Sequence, residues 1–151
     1  MNITYQKATA DDIAPIYELC RQLIHDYEQL GSIDYPKVMT WVRKKIETSI
    51  DEYTVIYANG QKAGYYHFYQ NDDGQFELDD LYVLPPFQNQ GIGSGVIKKC
   101  CSSVNDPVVL YVFIENKRAV SLYKKLGFEI AETVHSSRYI MKTENKSPRA
   151  L

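Results

Sequence analysis

From Gln75 to Ile114 the chain reads strand, proline-broken turn, three glycines at alternate positions, helix, strand. Two strands joined through a helix lie parallel, and such a crossover is right-handed because the strands and the helix share one twist. This piece therefore requires a mixed α/β domain built on one twisted sheet.

The apolar period places the remaining elements. Ile3 to Thr9 reads as a short strand. Ile13, Ile16, Tyr17, Leu19, Cys20, Leu23, Ile24 and Tyr27 recur at helical spacing. Thr9 is placed to cap that helix, and Asp11 and Asp12 suit its positive end. Gly31 to Pro36 breaks it, and Val38, Trp41, Val42 and Ile46 mark a second helix over about Lys37 to Thr48. The period then changes to two. Two strand runs flank Asn59-Gly60, the strongest short hairpin signal, and a third follows the turn Asn71 to Gly74. These three predict an antiparallel meander. After the glycine loop a helix spans about Gly91 to Ser103. Pro107 to Ile114 lacks polar alternation, which implies burial on both faces. Asn116 to Leu126 is a helix stopped by Gly127, and two last strands turn near His135 and Ser136. The order is β-α-α-β-β-β-α-β-α-β-β: one α/β (α+β, mixed-sheet) domain over residues 1–143, with 144–151 expected as a disordered tail.

Composition excludes several classes. The formal charge of −2 offers no basic excess for nucleic acid. No segment approaches the roughly 20 apolar residues of a membrane span, and the N-terminus lacks a signal-peptide core. Cys20, Cys100 and Cys101 are odd in number and two are adjacent, which suits reduced thiols in a cytoplasmic protein. Their spacing fits no zinc site, and no metal is expected.

Gly91, Gly93 and Gly95 stand where a helix must begin, at a cost in helix stability. A helix N-terminus offers free N–H groups and partial positive charge, and glycine lets an anion approach them closely. The dinucleotide fingerprint is absent because the third glycine comes too soon, and no Walker lysine follows. On the glycines alone, a flexible turn and a phosphate loop stay open.

The flanking residues narrow this. Gln88-x-x-Gly91-x-Gly93, directly after Leu81, Tyr82, Val83 and Pro85, resembles the acetyl-coenzyme A loop of the GNAT superfamily of N-acetyltransferases. Downstream, Asn116, Ala119, Tyr123, Gly127 and Phe128 resemble that family's second motif. The resemblance covers about Ile3 to Lys142 and is weakest over the first two helices. It implies acetyl-coenzyme A as cofactor. Backbone amides of Gln88, Asn89, Gln90, Gly91, Ile92, Gly93 and Ser94 would hold the pyrophosphate. Backbone groups of Leu81, Tyr82 and Val83 would pair with the pantetheine arm, which needs the parallel strands to splay near residues 81 and 111. Asn116 would hydrogen-bond the pantetheine. Lys98, Lys99, Lys117 and Arg118 are all candidates for the 3′-phosphate. Dimers are frequent in that family, which leaves a homodimer open.

Acetyl transfer to a primary amine, of a small molecule or a peptide, needs a proton acceptor, an oxyanion donor and a donor to the leaving thiolate. The resemblance implies Tyr123 for the thiolate and the Val83 N–H for the oxyanion. On an ideal strand Glu77 and Asp79 share a face with Leu81 and Val83, opposite Phe76, Leu78 and Asp80. Asp79 ranks first as base, Glu77 second and Asp80 third, and some members of that family rely on water alone. His67 is a candidate to line the acceptor side, as are Tyr27, Glu28, Asp34 and Tyr35 around the loop between the first two helices. The alternative reading is an acyl-coenzyme A-binding sensor or partner module without turnover, since it shares every cofactor motif.

Overall fold

The computed structural model describes residues 1–144; the tail expected over 144–151 lies, but for Glu144, outside the described residues. The strands are β1 (Ile3–Lys7), β2 (Tyr53–Ala58), β3 (Gln61–Gln70), β4 (Phe76–Val83), β5 (Val108–Phe113), β6 (Phe128–Val134) and β7 (Arg138–Thr143). They form one sheet in the order β1-β2-β3-β4-β5-β7-β6, parallel only between β4 and β5. The helices are α1 (Ile13–Tyr27), α2 (Tyr35–Ser49), α3 (Ile92–Ser102) and α4 (Lys117–Lys125).

Local chemistry sets the boundaries. The Thr9 N–H donates to Asp12 Oδ2 at 2.9 Å, and a 3-10 turn over Ala10–Asp12 precedes α1. Helix α2 begins two residues earlier than its periodicity suggests. Asp34 caps it by accepting the Lys37 N–H at 3.2 Å, and Pro36 sits in the first turn, where no N–H is needed. Asn59 (φ 51°) and Gly60 (φ 80°) both take the left-handed region that a two-residue hairpin demands. Gly127 (φ 98°) ends α4 as expected.

Each sheet face carries a core. Helices α3 and α4 bring Val96, Ile97, Cys100 and Val120 against Leu78, Val108, Leu110 and Met141. On the other face α1 and α2 bring Ile16, Ile24, Met39, Val42 and Ile46 against Val55, Tyr65, Tyr82 and Phe113. Fully burying one such side chain stabilises the fold by about 1.5–3 kcal/mol.

Two irregularities shape the middle of the sheet. β4 and β5 pair only at Phe76–Val108 and Glu77–Val109, and then diverge. Tyr111 is 42% exposed, against the expected burial of β5 on both faces, because it borders the opening left by this splay. The second is a bulge. His67 pairs with Asp80 and Phe68 with Leu78, so Asp79 is an extra residue in β4. Phe76 and Leu78 pack against the α3/α4 core, and so do Leu81 and Val83, while Tyr82 packs against the α1/α2 core. The strict alternation expected from the sequence therefore fails at Asp79. Leu81 and Val83 do not share a face with Glu77, and Asp80 joins the wall of the cleft described below. No helix among the described residues is long and apolar enough to cross a membrane.

Candidate active site in the gap between β4 and β5

The splay opens a cleft of about 520 Å³. One wall is β4 with Glu77, Asp79, Asp80, Leu81 and Tyr82. The opposite wall is β5 and α4 with Tyr111, Phe113, Asn116, Ala119 and Tyr123. Trp41 and Lys45 of α2, together with His67 and Tyr69 of β3, close the acidic end.

Backbone polarity in the gap follows from the strand period. The Leu84 N–H donates to the Ala63 carbonyl of β3 at 2.8 Å. The N–H and C=O groups of Val83 and Leu81 therefore point the other way, towards the space that β5 leaves. Gln88 Nε2 donates to the Val83 carbonyl at 2.9 Å, tying the glycine loop to the strand end. Of the three glycines, only Gly91 needs to be glycine for its backbone, at φ 81° as the residue preceding α3. The first helical bond of α3 runs from the Gly95 N–H to the Gly91 carbonyl at 3.0 Å. The N–H groups of Ile92, Gly93 and Ser94 precede it and carry no intrahelical partner. Arg118 donates to Asn89 Oδ1, which leaves Lys98, Lys99 and Lys117 as the candidate 3′-phosphate cations without that tie to the loop. Asn116 caps α4 by accepting the Ala119 N–H at 3.3 Å, and its NH₂ group takes no part in that cap.

Three carboxylates meet at the acidic end, each held differently. Asn71 donates to Glu77 at 3.1 Å. Lys45 and His67 Nδ1 (3.2 Å) both donate to Oδ2 of Asp79. Asp80 accepts the Tyr53 hydroxyl at 2.6 Å and the Tyr82 hydroxyl at 3.1 Å. His67 is 1% exposed, and its Nε2 lies 2.8 Å from Glu52 Oε1. Its ring is stacked between Tyr53 and Tyr69, with centroids at 4.4 and 4.2 Å.

These surroundings separate the proton affinities. Burial pushes the Glu77 carboxyl up, with Asn71 opposing. Burial and then the charge of Asp79 push Asp80 up as well. Burial also acts against ionisation of Asp79, but His67 and Lys45 outweigh it and bring that carboxyl down to about 2. Burial opposes the charge on His67, but its hydrogen bonds to Asp79 and Glu52 outweigh it and raise the ring's proton affinity. Burial pushes the Tyr123 phenol up to about 12. Tyr123 packs edge-on against Phe128, centroids 5.8 Å apart, where α4 meets β6.

The residues singled out from sequence divide accordingly. Glu77, Asp79, Leu81, Tyr82, Asn116, Tyr123 and His67 line the cleft. Tyr27, Glu28, Asp34 and Tyr35 do not. Tyr27 stacks on Phe113 (6.4 Å), Glu28 accepts from Arg138 (3.3 Å), and Asp34 is the α2 cap. Lys45, Glu52, Tyr53 and Tyr69 are not among the site candidates that the sequence offers, and Trp41 stands there only as an apolar position of α2. The one local signal was the four-residue spacing of Trp41 and Lys45, which sets the ammonium 5.8 Å from the indole centroid on one face of α2.

Comparison with known proteins fits this geometry. The chain is 28% identical over 145 residues to an uncharacterised N-acetyltransferase of Methanocaldococcus jannaschii, covering 87% of this chain and 62% of that one. It is 41% identical over 83 residues to the thialysine N-epsilon-acetyltransferase of Sus scrofa, 50% of this chain and 49% of that one. The chain thus spans less than two thirds of the length of these curated relatives. Among solved structures, the PaiA N-acetyltransferase of Thermoplasma acidophilum in complex with coenzyme A superposes with a TM-score of 0.69 at 20% identity, covering 95% of this chain and 99% of that one. An N-acetyltransferase of Staphylococcus aureus gives 0.70 at 16% identity, with 92% and 98% covered. Residues 16–128 match the model of the Acetyltransferase (GNAT) family. With the splayed parallel pair, the glycine loop and the cleft between them, the chain belongs to the GNAT acetyltransferase family.

Proposed function

We propose that this protein transfers an acetyl group from acetyl-coenzyme A to a primary amine, by direct attack within a ternary complex. The observation that carries this reading is the splay of β4 from β5 into a cleft with carboxylates at one end and Tyr123 across from them. The pantetheine would take the place of the missing strand partner beside Leu81 and Val83. The pyrophosphate would sit on the N–H groups of Ile92, Gly93 and Ser94. The related chains in the comparisons carry acetyltransferase names, and one solved neighbour was crystallised with coenzyme A.

The chemistry follows from the groups at hand. An ammonium has no lone pair, so one N–H proton must leave before attack, and a carboxylate at the acidic end of the cleft would take it. The Val83 N–H, facing the gap, is the donor for the oxyanion. Tyr123 stays protonated across the working pH range and donates to the departing sulfur. Burial, which pushes the phenol up to about 12, disfavours complete transfer of its proton. Its part is therefore a hydrogen bond to the developing thiolate, which ends up protonated from the amine side.

The test is free-thiol release from acetyl-coenzyme A with polyamines, amino acids, aminoglycosides and peptide N-termini. Amine-stimulated release is the expected result and rejects the reading as a sensor without turnover. Binding of acetyl-coenzyme A, seen as a raised Tm, with no release by any amine would overturn catalysis in favour of the sensor.

A further inference from the structure

The bulge at Asp79 brings three carboxylates into one cleft, and their partners differ in kind. Oδ2 of Asp79 accepts from two basic groups, Lys45 and His67. The other ring nitrogen of His67 faces Glu52 at 2.8 Å. With a carboxylate beside each nitrogen, and with Tyr53 and Tyr69 stacked on its two faces, this ring is set up to hold a proton on both nitrogens. Adding a proton to Asp79 would leave a neutral acid between the buried ring of His67 and the half-buried ammonium of Lys45. Asp80 has both oxygens engaged by the hydroxyls of Tyr53 and Tyr82. Glu77 is bonded by the neutral amide of Asn71, and Tyr69 from β3, Tyr111 from β5, Lys45 from α2 and Asp79 from its own strand act on it or it on them.

Building on the acetyl-transfer reading, we infer that Lys45 and His67 are positioning residues that hold Asp79 as a fixed anion, so that the proton of the acceptor amine passes to Glu77. The amine N–H bond breaks and an O–H bond forms on Glu77, directly or through a water. The freed lone pair makes the C–N bond as the C–S bond breaks; the second N–H proton then passes to the thiolate, leaving a neutral amide, and Glu77 returns its proton to water. Burial supports this division of labour, because it pushes Glu77 up while His67 and Lys45 hold Asp79 down. It also reverses the order of candidates expected from the sequence, where Asp79 stood first.

The test has two arms on the full chain. The first measures kcat/KM against pH with acetyl-coenzyme A and the amine that releases most thiol. Glu77→Gln should lose on the order of 10²-fold and flatten the acid limb. Lys45→Met removes a cation that lowers Glu77, so the acid limb should move to higher pH, and Lys45→Arg should bring it back. The acetyl-coenzyme A-induced rise in Tm should persist in all three, which separates these effects from misfolding. The second arm needs no turnover: ¹⁵N NMR of His67 should show an imidazolium well above the pH of about 6.5 at which a free histidine is half-protonated. A Glu77→Gln enzyme within twofold of wild type, an unmoved limb in Lys45→Met, or a neutral His67 ring at neutral pH each overturns the assignment. Failure of the wild type to acetylate any amine would instead sink the acetyl-transfer reading, while the NMR arm would still decide the state of His67.

Discussion

Replacing Gly93 by alanine asks why α3 opens with glycines. The Gly93 backbone is helical, and an added Cβ would meet Val83 Cγ2 at 3.9 Å, an ordinary contact. At Gly95 it would meet nothing within 4 Å. The protein by itself thus requires glycine at neither position, and alanine should add helix propensity. The gain is about 0.5–1 kcal/mol. For a chain of this size that raises Tm by about 1–4 °C in the absence of ligand. The proposed pyrophosphate site makes the opposite demand. The N–H groups of Ile92, Gly93 and Ser94 face outward before the first helical bond, and a methyl among them would hold a pyrophosphate oxygen away. Losing one charge-assisted hydrogen bond costs about 1.5–3 kcal/mol, or roughly 10- to 100-fold in Kd for acetyl-coenzyme A. Scanning fluorimetry without ligand and titration calorimetry with it measure the two effects on one variant. A Gly93→Ala protein that melts lower than wild type would place the glycine in packing. An unchanged Kd would mean that no anion approaches the helix start.

Other outcomes follow from single contacts. Gly64→Ala should destabilise by about 3 kcal/mol or more, because the new Cβ would lie far inside van der Waals contact distance of the Tyr82 carbonyl oxygen across β3 and β4; a Tm within about 2 °C of wild type would refute this. Tyr123→Phe should lower kcat by about 10- to 100-fold while leaving the Kd of acetyl-coenzyme A nearly intact, since one hydrogen bond to a developing thiolate is lost. Equal kcat would remove the phenol from the reaction. Asp79 is held down to about 2, below its unfolded value, so its contribution of roughly 2 kcal/mol is present above pH ~4 and lost as the pH falls towards ~2. The stability gap between wild type and Asp79→Asn, from urea titrations, should therefore narrow steadily below pH ~4, and a gap that stays constant would refute the assigned ionisation.

Much of this protein is determined by local sequence. The order of elements, the Asn59-Gly60 hairpin, the parallel crossover and the two motif stretches around Gly91 and Tyr123 depend on periodicity, turn chemistry and short spacings, and the folded chain keeps them. The site's acidic end is a different matter. Lys45 reaches Asp79 across 34 residues, and Tyr53 reaches Asp80 across 27, so no local pattern announces either pair. The bulge at Asp79 is also silent in sequence, because alternation assumes an unbroken ladder and one extra residue reverses every side chain beyond it. That reversal took Leu81 and Val83 to the opposite core from the one alternation implied and brought Asp80 into the cleft. Which carboxylate is free to take a proton depends on what lies within hydrogen-bond reach of each, and only the packing of α2 and β3 against β4 decides that.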